Sequence, residues 1–423
     1  MGRFFVGLRD AEELSGLAGS SPAYVLSRIV LNGPATVVVP DACALERMTR
    51  ALRFFAPKRA VFAYPADDGR PWDGDVRDPA QTHARILARG ATDGWIVAEA
   101  AALLPRVPAL VSRTLRVGER VEPQALLRWL VAAGYLVAPH VEEPGTAALR
   151  GGTLEAWGLG NEGPTRVAWF DDEIEAIRGP ARLLAAREAL LDGAAAERAA
   201  AYVHAVANER GVFGQDRRSV LQDLRAGVWF ASAEDYLPAL ADVSLAQLPG
   251  RHFLLEPDLV AMRLREAAAD VWRRFDALPP EERPLVRPED RYGTPREVLD
   301  ALKGAQPITL LGNGFSSRPT AGLRVGHTGE LAPTVHALRQ LAAAGAAVVL
   351  VADDTTRAER IRALFTAHDL TFGDKPRPYT VALRIGDLPE GFTADDLVYV
   401  TADEIFGEKL RDRPTSVVSK FRK

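Results

Sequence analysis

The chain has 423 residues, 47% apolar and 26% charged, with a formal net charge of −4. That is room for roughly two to four domains with sizeable cores. The slightly acidic balance excludes a protein whose whole surface is a nucleic-acid footprint. The single cysteine, Cys43, allows no internal disulfide and no cysteine-pair redox or metal centre. The seven histidines show no spacing suited to a zinc site. No apolar run is long enough to span a membrane. Asp10, Glu12 and Glu13 stand where a signal peptide needs its apolar core, so a cytoplasmic chain is expected.

The first hundred residues alternate short apolar runs with helical spacing. Residues 36–40 (TVVVP), 60–64 (AVFAY) and 94–98 (GWIVA) read as strands, and 22–31 and 42–55 as helices. This order predicts right-handed βαβ units and a parallel sheet. From residue 112 the texture changes. A strand over 112–117 precedes a helix over 123–133, opened by Pro123 and closed by Gly134. Short strands over 135–141, 146–150, 153–157, 165–170 and 174–178 follow, separated by Gly- and Pro-rich turns. Together they predict a small α+β unit. Residues 180–225 are Ala-rich and helical, 228–231 and 252–256 are strand-like, and 257–275 is a helix. Residues 278–291 read as a surface connection and 307–328 as a linker. The last unit predicts helices over 333–344 and 355–368 and strands over 346–352, 380–385 and 397–400.

The most suggestive motif is the turn over 16–23, which follows the apolar 4–8 segment and opens a helix. A phosphate-binding loop belongs at such a place. Gly16, Gly19 and Ser20 fit one, but Ser21, Pro22 and Ala23 stand where the signature needs Gly-Lys-Ser/Thr. Pro22 replaces the phosphate-binding lysine and removes a backbone N–H, and Ala23 lacks the hydroxyl that would hold Mg²⁺. Ser21-Pro22 instead reads as a helix N-cap followed by the first helical residue. The expectation is a P-loop-like fold with a non-functional turn and no cofactor. Residues 397–405 (LVYVTADEI) resemble a Walker B strand but read as a strand ending in a capped helix. Asp171, Asp172, Glu173 and Glu175 read as a solvated strand edge, with Ile174 and Ile177 facing inward. No Ser/His/Asp, Cys/His or metal cluster supports catalysis.

The middle unit is more specific. Residues 141–145 (VEEPG), 148–155 (ALRGGTLE) and 166–178 (RVAWFDDEIEAIR) closely resemble the module shared by UvrB and the transcription-repair coupling factor Mfd. Residues 227–238, 336–341, 353–364, 388–392 and 397–407 resemble Mfd rather than UvrB. The resemblance covers about residues 10–413. It implies an α/β chain with a degenerate P-loop (RecA/UvrB-like) domain, an inserted small α+β UvrA-binding module and a small C-terminal α/β domain. The implied boundaries are 1–110 with 179–325, then 111–178, then 329–415, with a tail over 416–423. Thr146-Ala147 and 155–158 depart from the family pattern.

By resemblance, Arg150, Arg166 and Phe170 match the residues with which the family meets UvrA. Alternation supports part of this independently: if Val167 and Trp169 face one way, Arg166, Ala168 and Phe170 share the other face. Arginine beside an exposed aromatic has the chemistry of a binding hot spot. The expected function is to recruit UvrA, starting nucleotide excision repair in transcription-coupled repair, with no ATPase or translocase of the chain's own. The polymerase-binding domain and the motor of a full Mfd would lie beyond Lys423, so neither RNA polymerase nor strong DNA binding is carried over. The alternatives are an autoinhibitory clamp on the motor of a full-length Mfd, or a motorless scaffold with another partner.

Overall fold

The computed structural model describes residues 14–67, 72, 78–212, 215–226, 229–230, 232–312, 314–320, 323 and 331–407. The 4–8 segment, the 416–423 tail and parts of 228–231 and 307–328 lie outside these. The chain divides into two compact units. One comprises residues 33–45 and 61–306; the other comprises 1–32, 46–60 and 307–423.

The core of the first unit is a parallel sheet. Arg251–Leu255, Ala35–Val39, Trp95–Glu99 and Val61–Tyr64 lie side by side in that order, with Gln306 starting a short edge strand. Ala35–Val39 is buried along its whole length, as a strand covered on both faces must be. The long Pro257–Ala277 helix packs Val260 and Leu264 against the sheet. The helix Pro79–Arg89, which sequence patterning missed, connects two of the strands; Asp78 caps it by accepting from the Ala80 N–H. A helical layer, the Ala-rich Gly193–Arg210 and then Gln215–Arg225, has its own core around Val203, Val206, Tyr236 and Leu237. Residues 278–291 are not a plain surface connection. Leu285 and Val286 are buried in that core, and a short helix, Pro288–Arg291, ends on a buried arginine whose Nη1 donates to the Arg106 carbonyl at 2.8 Å.

A buried charge cluster ties these layers together. Arg85, on the Pro79–Arg89 helix, meets Asp67, Glu188 at 3.6 Å and Glu234 at 3.4 Å. Thr82 donates to Glu234 at 2.9 Å. Burial works against the Arg85 charge, but Glu188, Asp67 and Glu234 outweigh it and hold the guanidinium above its ordinary value.

The second unit is a sheet of Thr380–Ile385, Ala347–Ala352, Leu397–Thr401 and Phe392–Thr393, in that order. The first three strands are parallel and the last is antiparallel. The helices Ala332–Ala343 and Thr355–Thr366 pack against the fully buried central strand. Leu397–Thr401 ends in a capping box, Thr401 with Glu404, which agrees with the strand-and-capped-helix reading.

Residues 14–32 and 46–60 belong to this unit, not to one domain running over 1–110. Tyr24, Phe54 and Phe55 form an aromatic cluster with Phe392 and Tyr399, with ring centroids 4.9–6.1 Å apart. Arg50 grips Asp387 with two hydrogen bonds, at 2.7 and 2.5 Å, and Arg47 pairs with Glu390 at 2.8 Å. The stretch read as a linker from 307 also packs here. The Thr309, Phe315 and Ser317 N–H groups donate to the carbonyls of Leu14, Ser15 and Gly16.

The 16–23 turn is closed from within this unit. The Ala18 N–H donates to Ser317 Oγ at 2.6 Å, and the Ser21 and Ser317 hydroxyls lie 2.9 Å apart. Gly16 and Gly19 both have positive φ. A Cβ on Gly19 would sit 2.0 Å from the Gly391 carbonyl oxygen. The helix is shorter than the pattern suggested, Ser21–Leu26. Ser20, not Ser21, precedes it, and neither hydroxyl caps it.

Two outcomes follow. Gly19→Ala combines a positive φ with backbone overlap and should destabilise this unit by about 1–3 kcal/mol, read as a lower urea midpoint. An unchanged midpoint would show the turn to be loose. Arg85→Met leaves buried carboxylates without their central cation and should cost about 3–5 kcal/mol in urea unfolding; a loss below about 1 kcal/mol would show the cluster to be well hydrated.

Candidate docking face

Residues 115–181 leave the first unit through a two-stranded neck. Ser112–Thr114 pairs antiparallel with Arg182–Leu184. Beyond the neck lies a five-stranded sheet, ordered Glu173–Arg178, Thr165–Phe170, Thr153–Ala156, Thr146–Arg150 and Leu136–Val137. The first four strands are antiparallel neighbours, and Leu136–Val137 joins in parallel. Gly151 and Gly152 both take positive φ, as the two-residue turn between Arg150 and Thr153 requires.

One face of this sheet is packed. The Pro123–Ala132 helix buries Leu126 and Leu130 completely, and Gly134, at φ 94°, ends it. They join Ala147, Leu154, Ala156, Val167 and Ile174 in one core, with Trp169 and Ile177 packed against it. Trp169 Nε1 donates to the Val121 carbonyl at 2.7 Å. Tyr135 donates to the Leu184 carbonyl at 2.7 Å, and burial holds its phenol well above the ordinary value. Both bonds tie the module's core to the chain segments flanking it.

The other face is open, and alternation places Arg166, Ala168 and Phe170 on it as expected. Register extends it into two rows. One runs Ala148, Glu155, Arg166, Arg178; the other runs Arg150, Thr153, Ala168, Ala176. Arg150, Arg166 and Arg178 are exposed, and Phe170 is 77% exposed. Arg166 Nε donates to Glu155 Oε1 at 3.0 Å. Phe170 ends its strand opposite Glu173, beside Asp171 in the left-handed region (φ 58°). All three residues singled out from sequence therefore share one face, whereas the 16–23 turn belongs to the other unit.

Arg178 and Ala176 were not singled out, because plain alternation from Ile174 turns both inward. The register slips between Ile174 and Ala176, so that Glu175 is the extra residue. Ile177 then packs inward and Arg178 stands outward. The signal was present: inward isoleucines three apart, at 174 and 177, cannot share a face of a regular strand.

Of the departures, Ala147 turns into the packed core, whereas Thr146 is in line with Ala148 and Arg150, and Trp157 with Glu155, at the end of the open face. Thr146 and Ala147 are buried, and Trp157 Nε1 donates to the Asn161 carbonyl at 2.9 Å. Asp171, Asp172, Glu173 and Glu175 are all exposed, as a solvated edge should be. Among the described residues no group of three or more His, Cys, Asp or Glu is placed to hold a metal. Among them, too, no helix is long and apolar enough to cross a membrane.

Residues 114–183 match the family model described as the UvrB interaction domain. These bounds start and end within the neck strands. The transcription-repair-coupling factor of Myxococcus xanthus is 26% identical over 475 aligned residues, covering 94% of this chain and 39% of that protein. The corresponding factor of Bacillus subtilis is 29% identical over 41% of the chain and 16% of its own length. The UvrABC system protein B of Kosmotoga olearia is 26% identical over 41% of the chain and 30% of its length. The chain thus spans about two fifths of the Myxococcus factor. It is similar over most of its length to part of a transcription-repair-coupling factor, and its segment on the two-stranded neck matches the UvrB interaction domain.

Proposed function

We propose that this chain recruits UvrA through the open face of the 115–181 sheet, and so takes part in transcription-coupled nucleotide excision repair in the cytoplasm. The observation that supports this best is Phe170. A large aromatic, 77% exposed, stands on the same strand face as Arg166, while the opposite face of that strand is packed. Burying Phe170 under a partner would stabilise a complex by about 1.5–3 kcal/mol. The arginines offer forked donors to carboxylates, at about 1.5–3 kcal/mol per charged hydrogen bond.

In this reading the chain itself is not an enzyme. The 16–23 turn is a vestigial phosphate loop. Pro22 and Ala23 lack the groups a nucleotide needs, and Ser317 and Gly391 crowd the turn. Contact with RNA polymerase and strong DNA binding are left to other parts of the longer relatives.

Calorimetric titration with UvrA should show binding by the wild-type chain. Arg166→Glu and Phe170→Ala should each lose at least about 2 kcal/mol while keeping the wild-type melting temperature. A folded wild-type chain that does not bind UvrA would overturn the proposal. Millimolar MgATP should leave the melting temperature unchanged, since only a bound ligand stabilises; a rise would restore the nucleotide site.

A further inference from the structure

Arg166 and Arg178 face each other directly across neighbouring antiparallel strands. Side chains so placed have Cβ atoms about 4.5–5.5 Å apart, where like charges repel. Arg166 is relieved on its far side by Glu155, at 3.0 Å. Arg178 has no carboxylate within ion-pair distance among the described residues. The floor around the pair is low: Ala148, Ala168, Ala176 and Thr153 raise no bulk between the guanidinium groups. Arg150 stands at the far end of the neighbouring row. A flat floor, a repelling arginine pair, a third arginine and an exposed phenylalanine complement an acidic surface with an apolar pocket at its end.

We infer that Arg178 is a further contact residue of this face, and that UvrA presents it with an acidic stretch. One carboxylate of that stretch bridges Arg166 and Arg178. Glu155 is then the internal counter-ion that Arg166 gives up on docking. The inference rests on the UvrA reading and deepens it by naming the partner's chemistry and the residue that competes with it. The Glu175 bulge is the structural cause, since without it Arg178 would point into the core.

The test is titration of the full chain with UvrA across about 50–300 mM salt. Arg178→Glu should weaken binding by about 30-fold or more and Arg178→Ala by about 5- to 10-fold, each with a shallower salt dependence. Glu155→Gln should tighten binding, because Arg166 no longer has an internal competitor. Arg166→Ala combined with Arg178→Ala should lose less than the product of the two single losses, because the two share one carboxylate. Arg178→Ala should melt no lower than wild type, since it removes repulsion rather than a bond. Wild-type affinity in Arg178→Glu, alongside lost binding in Arg166→Glu, would overturn the inference and leave the UvrA reading standing. A wild-type chain that does not bind UvrA would overturn both.

Discussion

The docking face depends on a sheet covered on one side only. The helix Pro123–Ala132 supplies much of the cover for the strands between residues 146 and 178, its leucines packing beneath them, and Ile86 of the Pro79–Arg89 helix with Leu115 and Leu183 near the neck completes the same core. With one face sealed, the two-residue period of a strand leaves little choice. Each apolar residue aimed at the helix puts its neighbours into solvent. Val167 and Trp169 inside put Arg166, Ala168 and Phe170 outside. A second helix on the open side would have required an apolar row there; the residues present are alanine, threonine, glutamate and arginine. The exposed Phe170 is therefore no packing failure. It is the most exposed apolar group on a face otherwise made mostly of small or charged residues, with Leu136, 67% exposed, at the far edge.

Such a face serves a partner only if it is held firmly. The two neck strands pair with one another. Near their ends, Arg85 gathers carboxylates from three separated stretches: Asp67 after a core strand, Glu188 just beyond the neck, and Glu234 on a short helical turn. A lone buried charge is costly, but a cation ringed by several carboxylates and hydrogen-bonded neighbours resists being pulled apart. Glu188 lies only four residues past the last neck strand, so the cluster fixes the base of the module to the helix that carries Arg85.

Much of this was legible in the sequence, and the failures have particular causes. The strands between 146 and 178 declare themselves through alternation and Gly-rich turns, and their bounds agree with the pattern to within a residue. Arg150, Arg166 and Phe170 needed the family resemblance as well, because alternation alone says which residues share a face but not which face is open. Arg178 was hidden by one extra residue, Glu175. The assignment of 14–32 and 46–60 to the C-terminal unit was hidden for another reason. The aromatic cluster of Tyr24, Phe54, Phe55, Phe392 and Tyr399 joins residues more than three hundred positions apart, and no local pattern encodes which aromatics will meet. Likewise 307–320 reads as a linker because it is rich in Gly, Ser and Pro. Its backbone is nonetheless hydrogen-bonded to Leu14, Ser15 and Gly16, so its irregularity is that of a packed loop.

The 16–23 turn shows how far side-chain identity alone carries a functional argument. Missing a lysine and a hydroxyl makes nucleotide binding unsupported, but it leaves open whether the turn still forms a cradle that some other anion could fill. Geometry narrows that. A phosphate loop works because its N–H groups point into empty space and its glycines leave room for the phosphate. Here one of those donors, on Ala18, is already engaged by Ser317 Oγ, and the Gly19 backbone lies against the Gly391 carbonyl, which points its partial negative charge at the turn. The space beside Gly19 holds an acceptor where an anion site would need donors. The glycines persist because the turn must pass close to another backbone, a constraint that selects glycine whether the neighbour is a phosphate or a peptide group.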